Sequence, residues 1–159
     1  FDTDELLFAD THEQKQMLWA LRRKVGEAVK SNSIYKEEDT VVPRAELPEL
    51  LQIIKRIGNE YGFKSVCYGH AGDGNLHVNI VKAGMSDEDW HNKLPLGIRE
   101  LFKEVVRMGG TISGEHGIGL VQKSYMDIAF NATQTKLMRD IKHIFDPNGI
   151  LNPGKIFVD

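Results

Sequence analysis

The sequence predicts an α+β fold, specifically a ferredoxin-like βαββαβ antiparallel sheet with additional N- and C-terminal helices. Three observations support this prediction. Amphipathic helical patterns occupy residues 47–61 and 98–106, a glycine-centred hairpin pattern occupies residues 64–81, and short strand patterns stand at residues 39–42 and 111–113. Strand, helix, hairpin, helix and strand therefore follow one another in the order of that unit.

The first element is a helix that begins at Asp10 or Thr11, either of which can cap it, and runs to about residue 30. Its apolar residues recur at helical spacing: Leu18, Leu21, Val25 and Val29. The strand at residues 39–42 follows and ends at Pro43. This order places one extra helix before the βαββαβ unit.

The helix at residues 47–61 has one apolar face and is expected to stop at Gly62. The residues expected to face inward are Leu47, Leu50, Leu51, Ile54 and Ile57. Ser86 and the acidic residues after it open a further helical region, which Pro95 interrupts. A final helix at residues 133–145 precedes a tail rich in turn residues.

Length and composition indicate one globular domain over residues 1–159. The net charge of −3 gives no electrostatic basis for nucleic-acid binding. The single cysteine, Cys67, excludes an internal disulfide and favours a reducing, cytoplasmic location. Cys67 stands an odd number of residues from His70, so it is expected to face the core. The chain starts at Phe1 and carries no signal-like or membrane-spanning run, which suggests a fragment of a larger protein.

Residues 69–79, GHAGDGNLHVN, contain two histidines that a hairpin would set face to face. Asp73-Gly74 is a strong signal for a two-residue type I′ turn, because both central residues of that turn need positive φ. Folding about this turn places His70 directly opposite His77, with Cβ atoms roughly 4.5–5.5 Å apart. Asn79 projects from the same face. The hairpin favours a metal or substrate site, and the ordinary alternative is a pair of hydrogen-bonded surface histidines.

Residues 109–119, GGTISGEHGIG, contain five glycines and so fit neither a regular helix nor a regular strand. Glu115 and His116 stand side by side at the centre, and a mobile surface loop is the ordinary interpretation. Together with His70 and His77, however, Glu115 completes a set of two histidines and one carboxylate, which suits Zn²⁺ or another divalent metal with an open position. His116 is then available as a proton acceptor.

These two segments resemble the C-terminal domain of the FAD-linked 2-hydroxyacid oxidases and dehydrogenases. That family includes the glycolate oxidase D subunit, D-lactate dehydrogenases and D-2-hydroxyglutarate dehydrogenase. Residues 39–44, DTVVPR, and the tail at residues 145–157, FDPNGILNPGKIF, resemble the same family. All four motifs stand in matching order, and the resemblance runs from about residue 16 to the end.

The resemblance implies an enzyme that oxidises a D-2-hydroxyacid to the 2-oxoacid. His70, His77 and Glu115 correspond to ligands of a divalent metal, with zinc the expected ion, that chelates the substrate. His116 corresponds to the base that takes the hydroxyl proton while C2 gives hydride to the flavin. The residues implied to contact substrate are Arg22, Lys36, Asn79 and His116. Those implied to approach FAD, which an upstream domain absent from this sequence would mainly hold, are Asn152 and Lys155.

Two positions leave the substrate open among glycolate, D-lactate and D-2-hydroxyglutarate. Gly26 stands where the hydroxyglutarate enzymes resemble one another in having threonine. Asn79 stands where glycolate oxidase subunits tend to carry proline. The two basic residues also have ordinary explanations, because Arg22 lies in a basic helix with a solvated face and Lys36 lies among acidic neighbours.

The partners implied are a small 2-hydroxyacid, the missing FAD-binding domain, and an iron–sulfur or other electron-accepting protein that could hold the enzyme at a membrane surface. Apolar residues in the tail predict an exposed patch, through which the isolated fragment would form a homodimer. Two other classes stay open. One is a stand-alone metal-dependent hydrolase in which His116 or Asp73 activates water. The other is a non-catalytic ferredoxin-like ligand-binding module.

Overall fold

The computed structural model describes residues 8–31 and 34–158. The chain forms two compact units, residues 1–34 and residues 35–159. The described part of the first unit consists mainly of helix α1, His12–Ser31. Within the described residues, neither α1 nor any later helix combines the length and apolar character needed to cross a bilayer. One domain over residues 1–159 stays a prediction.

Helix α1 begins where the sequence predicts. The Thr11 hydroxyl accepts a hydrogen bond from the Gln14 N–H at 3.2 Å, and the Gln14 side chain accepts one from the Thr11 N–H at 3.1 Å, which forms a capping box. Of the expected apolar stripe, Leu18 is half-buried and Leu21 is exposed. Two further side chains of that stripe lie outside the described part: Val25 and Val29.

The second unit is built on a three-stranded antiparallel sheet with strand order β1-β3-β2. The strands are β1 (Tyr35–Val41), β2 (Lys64–His70) and β3 (Asn75–Val81). The helices are α2 (Leu47–Tyr61), α3 (Leu94–Arg107), the short α4 (Met126–Ala129) and α5 (Ala132–Phe145). Residues 146–158 contain no helix or strand. This mixture of helices and an antiparallel sheet confirms the α+β prediction.

The hydrophobic core lies between one face of the sheet and helices α2 and α3. Leu76, Val78 and Ile80 of β3 are buried in that core. Cys67 packs against it from β2, as its parity predicted. Because successive strand residues point to opposite faces, the odd-numbered residues of β3 project from the other side of the sheet. That second face carries the polar side chains of the hairpin.

The apolar face of α2 is slightly rotated from the expected one. Ile53 is buried, whereas Leu51 is 46% exposed, so the inward prediction for Leu51 is wrong. Successive helical residues are turned by about 100°, which puts Leu51 at the outer edge of the stripe centred on Leu50 and Ile57. Gly62 ends the helix with φ of 80°, as predicted.

The sheet differs from the predicted one at both ends. Strand β1 starts at Tyr35 rather than at residue 39, because acidic residues have low strand propensity and concealed its first half. The predicted strand at residues 111–113 is reduced to one bridge, in which Thr111 and Val41 exchange hydrogen bonds of 2.9 and 3.3 Å. Beyond that bridge, backbone N–H groups point to a carboxylate on β1 instead of extending the ladder.

Pro95 does not interrupt a helix. It lies in the first turn of α3, where the missing N–H needs no partner within the helix. A π-helical turn, Asp89–Lys93, leads directly into α3. The acidic segment and the apolar segment therefore form one continuous helical region.

Candidate functional site

The hairpin brings His70 and His77 together in a register that differs from the expected one. A four-residue loop, residues 71–74, joins the strands, and within it only Gly74 has positive φ. His70 therefore pairs with Asn75, and His77 pairs with Tyr68. Direct opposition of the histidines is a wrong prediction. A shift of two residues keeps each side chain on its face, so the two rings are diagonal neighbours with centroids 6.1 Å apart.

His70, His77 and Glu115 converge on this face of the sheet. Their ligand atoms all lie within 4.8 Å of one another. His70 Nε2 lies 3.4 Å from Glu115 Oε1, and His77 Nε2 lies 3.9 Å from Glu115 Oε2. The His77 side chain is 7% exposed, whereas those of His70 and Glu115 are nearly half exposed. One buried and two accessible ligands fit a divalent ion that keeps an open position for substrate.

Glu37 adds a carboxylate that the sequence analysis missed. It pairs with Asn79 in the sheet and so shares the face of His77. Its Oε1 lies 3.4 Å from His77 Nδ1 and 4.0 Å from His116 Nε2. The rings of His77 and His116 stack with centroids 5.1 Å apart. Glu37 therefore lies between a predicted metal ligand and the predicted base.

Asp39 fixes the glycine-rich loop on the sheet. It is fully buried, and its Oδ2 accepts hydrogen bonds from the N–H groups of Gly114, Glu115 and His116 at 2.8, 2.5 and 2.9 Å. Its Oδ1 accepts one from Asn75 Nδ2 at 2.7 Å. Burial alone would raise the pKa of Asp39, but these hydrogen bonds lower that pKa from 3.8 to about 2. An ionised Asp39 at neutral pH thus holds Glu115 and His116 in place.

Asn79 lies beside this cluster with two unsatisfied polar atoms. Its side chain is completely buried, and neither the amide nitrogen nor the amide oxygen has a hydrogen-bond partner. Buried polar groups are nearly always paired, so an unpaired amide next to a polar cluster can accept a ligand or an ordered water as its partner. The predicted substrate contact of Asn79 stays a prediction that this geometry favours.

The structure does not bring Lys36 to the cluster. Lys36 pairs with Ile80, so it projects from the helix-covered face of the sheet. Its Nζ lies 3.3 Å from Glu38 Oε1 and 5.8 Å from the centroid of the Tyr125 ring. Burial raises the pKa of Glu38, and the nearby Lys36 partly offsets that effect. The structure thus shows the local ion pair, and the substrate role of Lys36 stays a prediction.

Arg22 belongs to the N-terminal unit. Its guanidinium carbon lies 5.4 Å from the Trp19 ring, a cation–π contact within α1. The substrate role of Arg22 stays a prediction.

The tail places Asn152 and Lys155 close to each other, with Lys155 Nζ 2.9 Å from Asn152 Oδ1. The Ile156 N–H donates to the Gly119 carbonyl at 2.8 Å, and Lys123 Nζ donates to the Gly154 carbonyl at 3.0 Å. These bonds tie the tail to the end of the glycine-rich loop. Both predicted cofactor residues are exposed there, and their contact with FAD stays a prediction.

Comparison with known proteins gives a family match over almost the whole chain. The family described as FAD linked oxidases, C-terminal domain, matches residues 2–156. A D-lactate dehydrogenase of Anaerostipes hadrus is 36% identical over 96% of this chain and 32% of its own length.

Two further relatives carry different names. A D-2-hydroxyglutarate dehydrogenase of Stutzerimonas stutzeri is 36% identical over 95% of the chain and 33% of its own length. The glycolate oxidase subunit GlcD of Bacillus subtilis is 35% identical over 98% of the chain and 31% of its own length. The chain spans about a third of the length of the curated relatives it matches.

Proposed function

The chain belongs to the family of FAD-linked oxidase C-terminal domains, and we propose that it provides the metal and substrate contacts for oxidation of a D-2-hydroxyacid to the 2-oxoacid. The observation that carries the proposal is the convergence of His70, His77 and Glu115, whose ligand atoms lie within 4.8 Å of one another. Lactate, 2-hydroxyglutarate and glycolate, for which these relatives are named, are all 2-hydroxyacids. FAD would be held mainly by the rest of the full-length protein.

His70, His77 and Glu115 would hold the metal ion on the polar face of the sheet. When bound, a divalent ion would supply Lewis acidity that lowers the pKa of a substrate hydroxyl, and FAD would be the oxidant that accepts the hydride. His116 would take the hydroxyl proton on a ring nitrogen, a role typically worth about 10²–10⁴-fold in rate. Because Asp39 holds the backbone of both Glu115 and His116, ligand and base keep a fixed relative position.

Asn79 would orient the substrate. Its amide can donate to a carboxylate oxygen and accept from a hydroxyl. Both amide atoms are without a partner in the protein, so a substrate bound on the cluster would supply the missing hydrogen bonds. A panel of glycolate, D-lactate and D-2-hydroxyglutarate would decide among the three substrate branches.

The experiment that tests the proposal is metal analysis and turnover of the full-length, flavin-loaded protein after dialysis without chelator. We expect about one divalent ion per chain, lost in His77→Ala and retained in His91→Ala, an exposed histidine on the segment before α3. Oxidation of a D-2-hydroxyacid with an artificial electron acceptor should disappear with chelation and return with zinc. Full turnover in His77→Ala would overturn the proposal.

The same preparation distinguishes the two other classes. A metal-dependent hydrolase would turn over model esters or phosphoesters without flavin. A ligand-binding module would bind the acid without turnover and without stoichiometric metal.

A further inference from the structure

The two ring nitrogens of His77 face different residues. Nε2 lies on the side of Glu115, at 3.9 Å from Oε2, whereas Nδ1 lies 3.4 Å from Oε1 of Glu37. Nδ1 is buried and makes no hydrogen bond in the structure. A buried ring nitrogen needs a partner, and the Glu37 carboxylate is the nearest acceptor. Nε2 therefore faces the proposed metal ligand Glu115, and Nδ1 faces Glu37.

We propose that Glu37 is a positioning residue that accepts the Nδ1–H of His77, fixes this tautomer and leaves the Nε2 lone pair for a metal ion. A neutral imidazole carries one N–H and one lone pair, so a proton held on Nδ1 makes Nε2 the ligand atom. Histidines that bind metals almost always donate the other ring N–H to a carboxylate, a carbonyl or water. This role of Glu37 rests on the proposed function, because that function supplies the metal ion that His77 would bind.

Asp39 is the other carboxylate near His77 Nδ1, but it is committed elsewhere. Its Oδ1 lies 3.8 Å from Nδ1 and already accepts the Asn75 amide at 2.7 Å. Its Oδ2 accepts three backbone N–H groups of the glycine-rich loop. Both carboxylates lie on β1, where Asp39 pairs directly with His77 and Glu37 pairs with Asn79, but the Glu37 carboxylate is the closer of the two to Nδ1. The assignment to Glu37 therefore follows from distance and from the hydrogen bonds that Asp39 already makes.

Glu37 also lies 4.0 Å from His116 Nε2, so one carboxylate neighbours both a ligand and the base. Glu37, His77 and His116 have ligand atoms within 4.8 Å of one another, which could form a second cation site. That arrangement would make His77 bridge two ions and would remove His116 from proton transfer. A positioning role of Glu37 requires neither consequence. The number of ions bound per chain therefore distinguishes a positioning role of Glu37 from a ligand role.

The test uses the full-length protein with ¹⁵N-labelled histidine and the variants Glu37→Ala, Glu37→Gln and Glu60→Ala. Glu60 is an exposed carboxylate on α2, which covers the opposite face of the sheet. Zinc affinity is measured by competition with a chromogenic chelator. We expect a loss of about 10–100-fold in Glu37→Ala, a smaller loss in Glu37→Gln, whose amide oxygen still accepts, and none in Glu60→Ala.

The histidine ¹⁵N spectrum of the metal-free protein provides an independent result. We expect His77 to carry its proton on Nδ1 in the wild type and to populate the Nε2–H tautomer in Glu37→Ala. Wild-type zinc affinity and an unchanged tautomer in Glu37→Ala would overturn the inference. So would two zinc ions per wild-type chain that fall to one in Glu37→Ala, because Glu37 would then be a ligand.

Failure of the proposed function would look different. If the wild type binds no zinc, the metal proposal fails, while the tautomer measured without metal still decides the role of Glu37. If Glu37→Ala does not fold, the tautomer and affinity of Glu37→Gln decide instead. If His77 in Glu37→Gln loses its Nδ1 proton and the zinc affinity nevertheless equals that of the wild type, the positioning role of Glu37 is contradicted.

Discussion

Asp39 links strand β1 to the loop that carries Glu115 and His116, and it does so as a buried anion. Its pKa in the folded protein is about 2, below its ordinary 3.8. Because the unfolded chain takes up this proton more readily, the stabilisation is fully present above pH 4 and is lost as the pH falls through 2. The difference in pKa corresponds to about 2 kcal/mol of folding free energy.

Replacement of this carboxylate should show the same effect directly. In Asp39→Asn the single remaining acceptor oxygen cannot serve the three loop N–H groups and Asn75 together, so we expect the free energy of unfolding at pH 7 to fall by about 1–3 kcal/mol. The difference from wild type should shrink between pH 4 and pH 2, because protonation removes the same anion from the wild type. Urea unfolding at several pH values measures this, with the exposed Asp73→Asn as control. A pH-independent difference would contradict the account.

The glycine-rich loop lies very close to the sheet at Gly114. A Cβ at Gly114 would lie 2.4 Å from Asn75 Nδ2 and 2.5 Å from Val41 Cγ2. Both atoms belong to side chains of the sheet, and the Asn75 amide is held by its hydrogen bond to Asp39, so an added Cβ would displace the loop or break that hydrogen bond. Any displacement of Gly114 also breaks its hydrogen bond to Asp39.

We therefore expect Gly114→Ala to lower the free energy of unfolding by about 1–3 kcal/mol and to weaken zinc binding of the full-length protein. Gly72→Ala is the matched control, because Gly72 lies in the hairpin loop with no atom within 4 Å of an added Cβ. That control should change stability by less than about 0.5 kcal/mol. Urea midpoints and chelator competition measure both effects. Equal behaviour of the two variants would show that the close approach is not required.

Local patterns were sufficient to predict most elements of this fold. The apolar periodicity and Gly62 predicted α2 to its last residue. The hairpin strands were also predicted, although the turn type was not, because Asp73-Gly74 signals a turn without fixing its length. The error shifted the register by two residues, and the shared face of His70 and His77 survived because side-chain direction repeats every two residues. A shift of one residue would have separated them.

Long-range contacts explain what the sequence did not predict. Asp39 and Glu37 act on residues that lie far along the chain, and the strand that carries them reads as a solvated acidic run. One sequence signal could have found them: the acidic cluster stands directly before a β-branched run. Acidic residues are depleted in strands, so such a cluster in a strand indicates that its side chains have partners on the two faces of the sheet. Lys36 shows the same limit, because only the strand register places it on the helix-covered face.

Helix α5 and the C-terminal tail carry many large apolar side chains that lie outside the core. Those on α5 and the tail that are at least half exposed are Leu137, Ile141, Ile144, Phe145, Ile150, Leu151 and Val158. Asp146 holds the tail against the end of α5, since its side chain accepts the N–H groups of Ile150 and Leu151 at 2.9 and 3.0 Å. Monomeric proteins rarely expose a large contiguous apolar patch, so this surface is expected to be covered in the full-length protein.

A chain of residues 1–159 produced alone should therefore self-associate through this surface. We expect sedimentation velocity to show a mass that rises with concentration, and the double variant Ile144→Lys, Phe145→Lys to sediment as a monomer, because two buried cations would oppose the contact. Leu96→Lys is the control, since Leu96 is equally apolar and 58% exposed but lies on α3. Circular dichroism of each variant separates lost association from lost folding. A wild-type chain that stays monomeric at every concentration would show that the patch does not drive association, and the covering role would then have to be sought by cross-linking within the full-length protein.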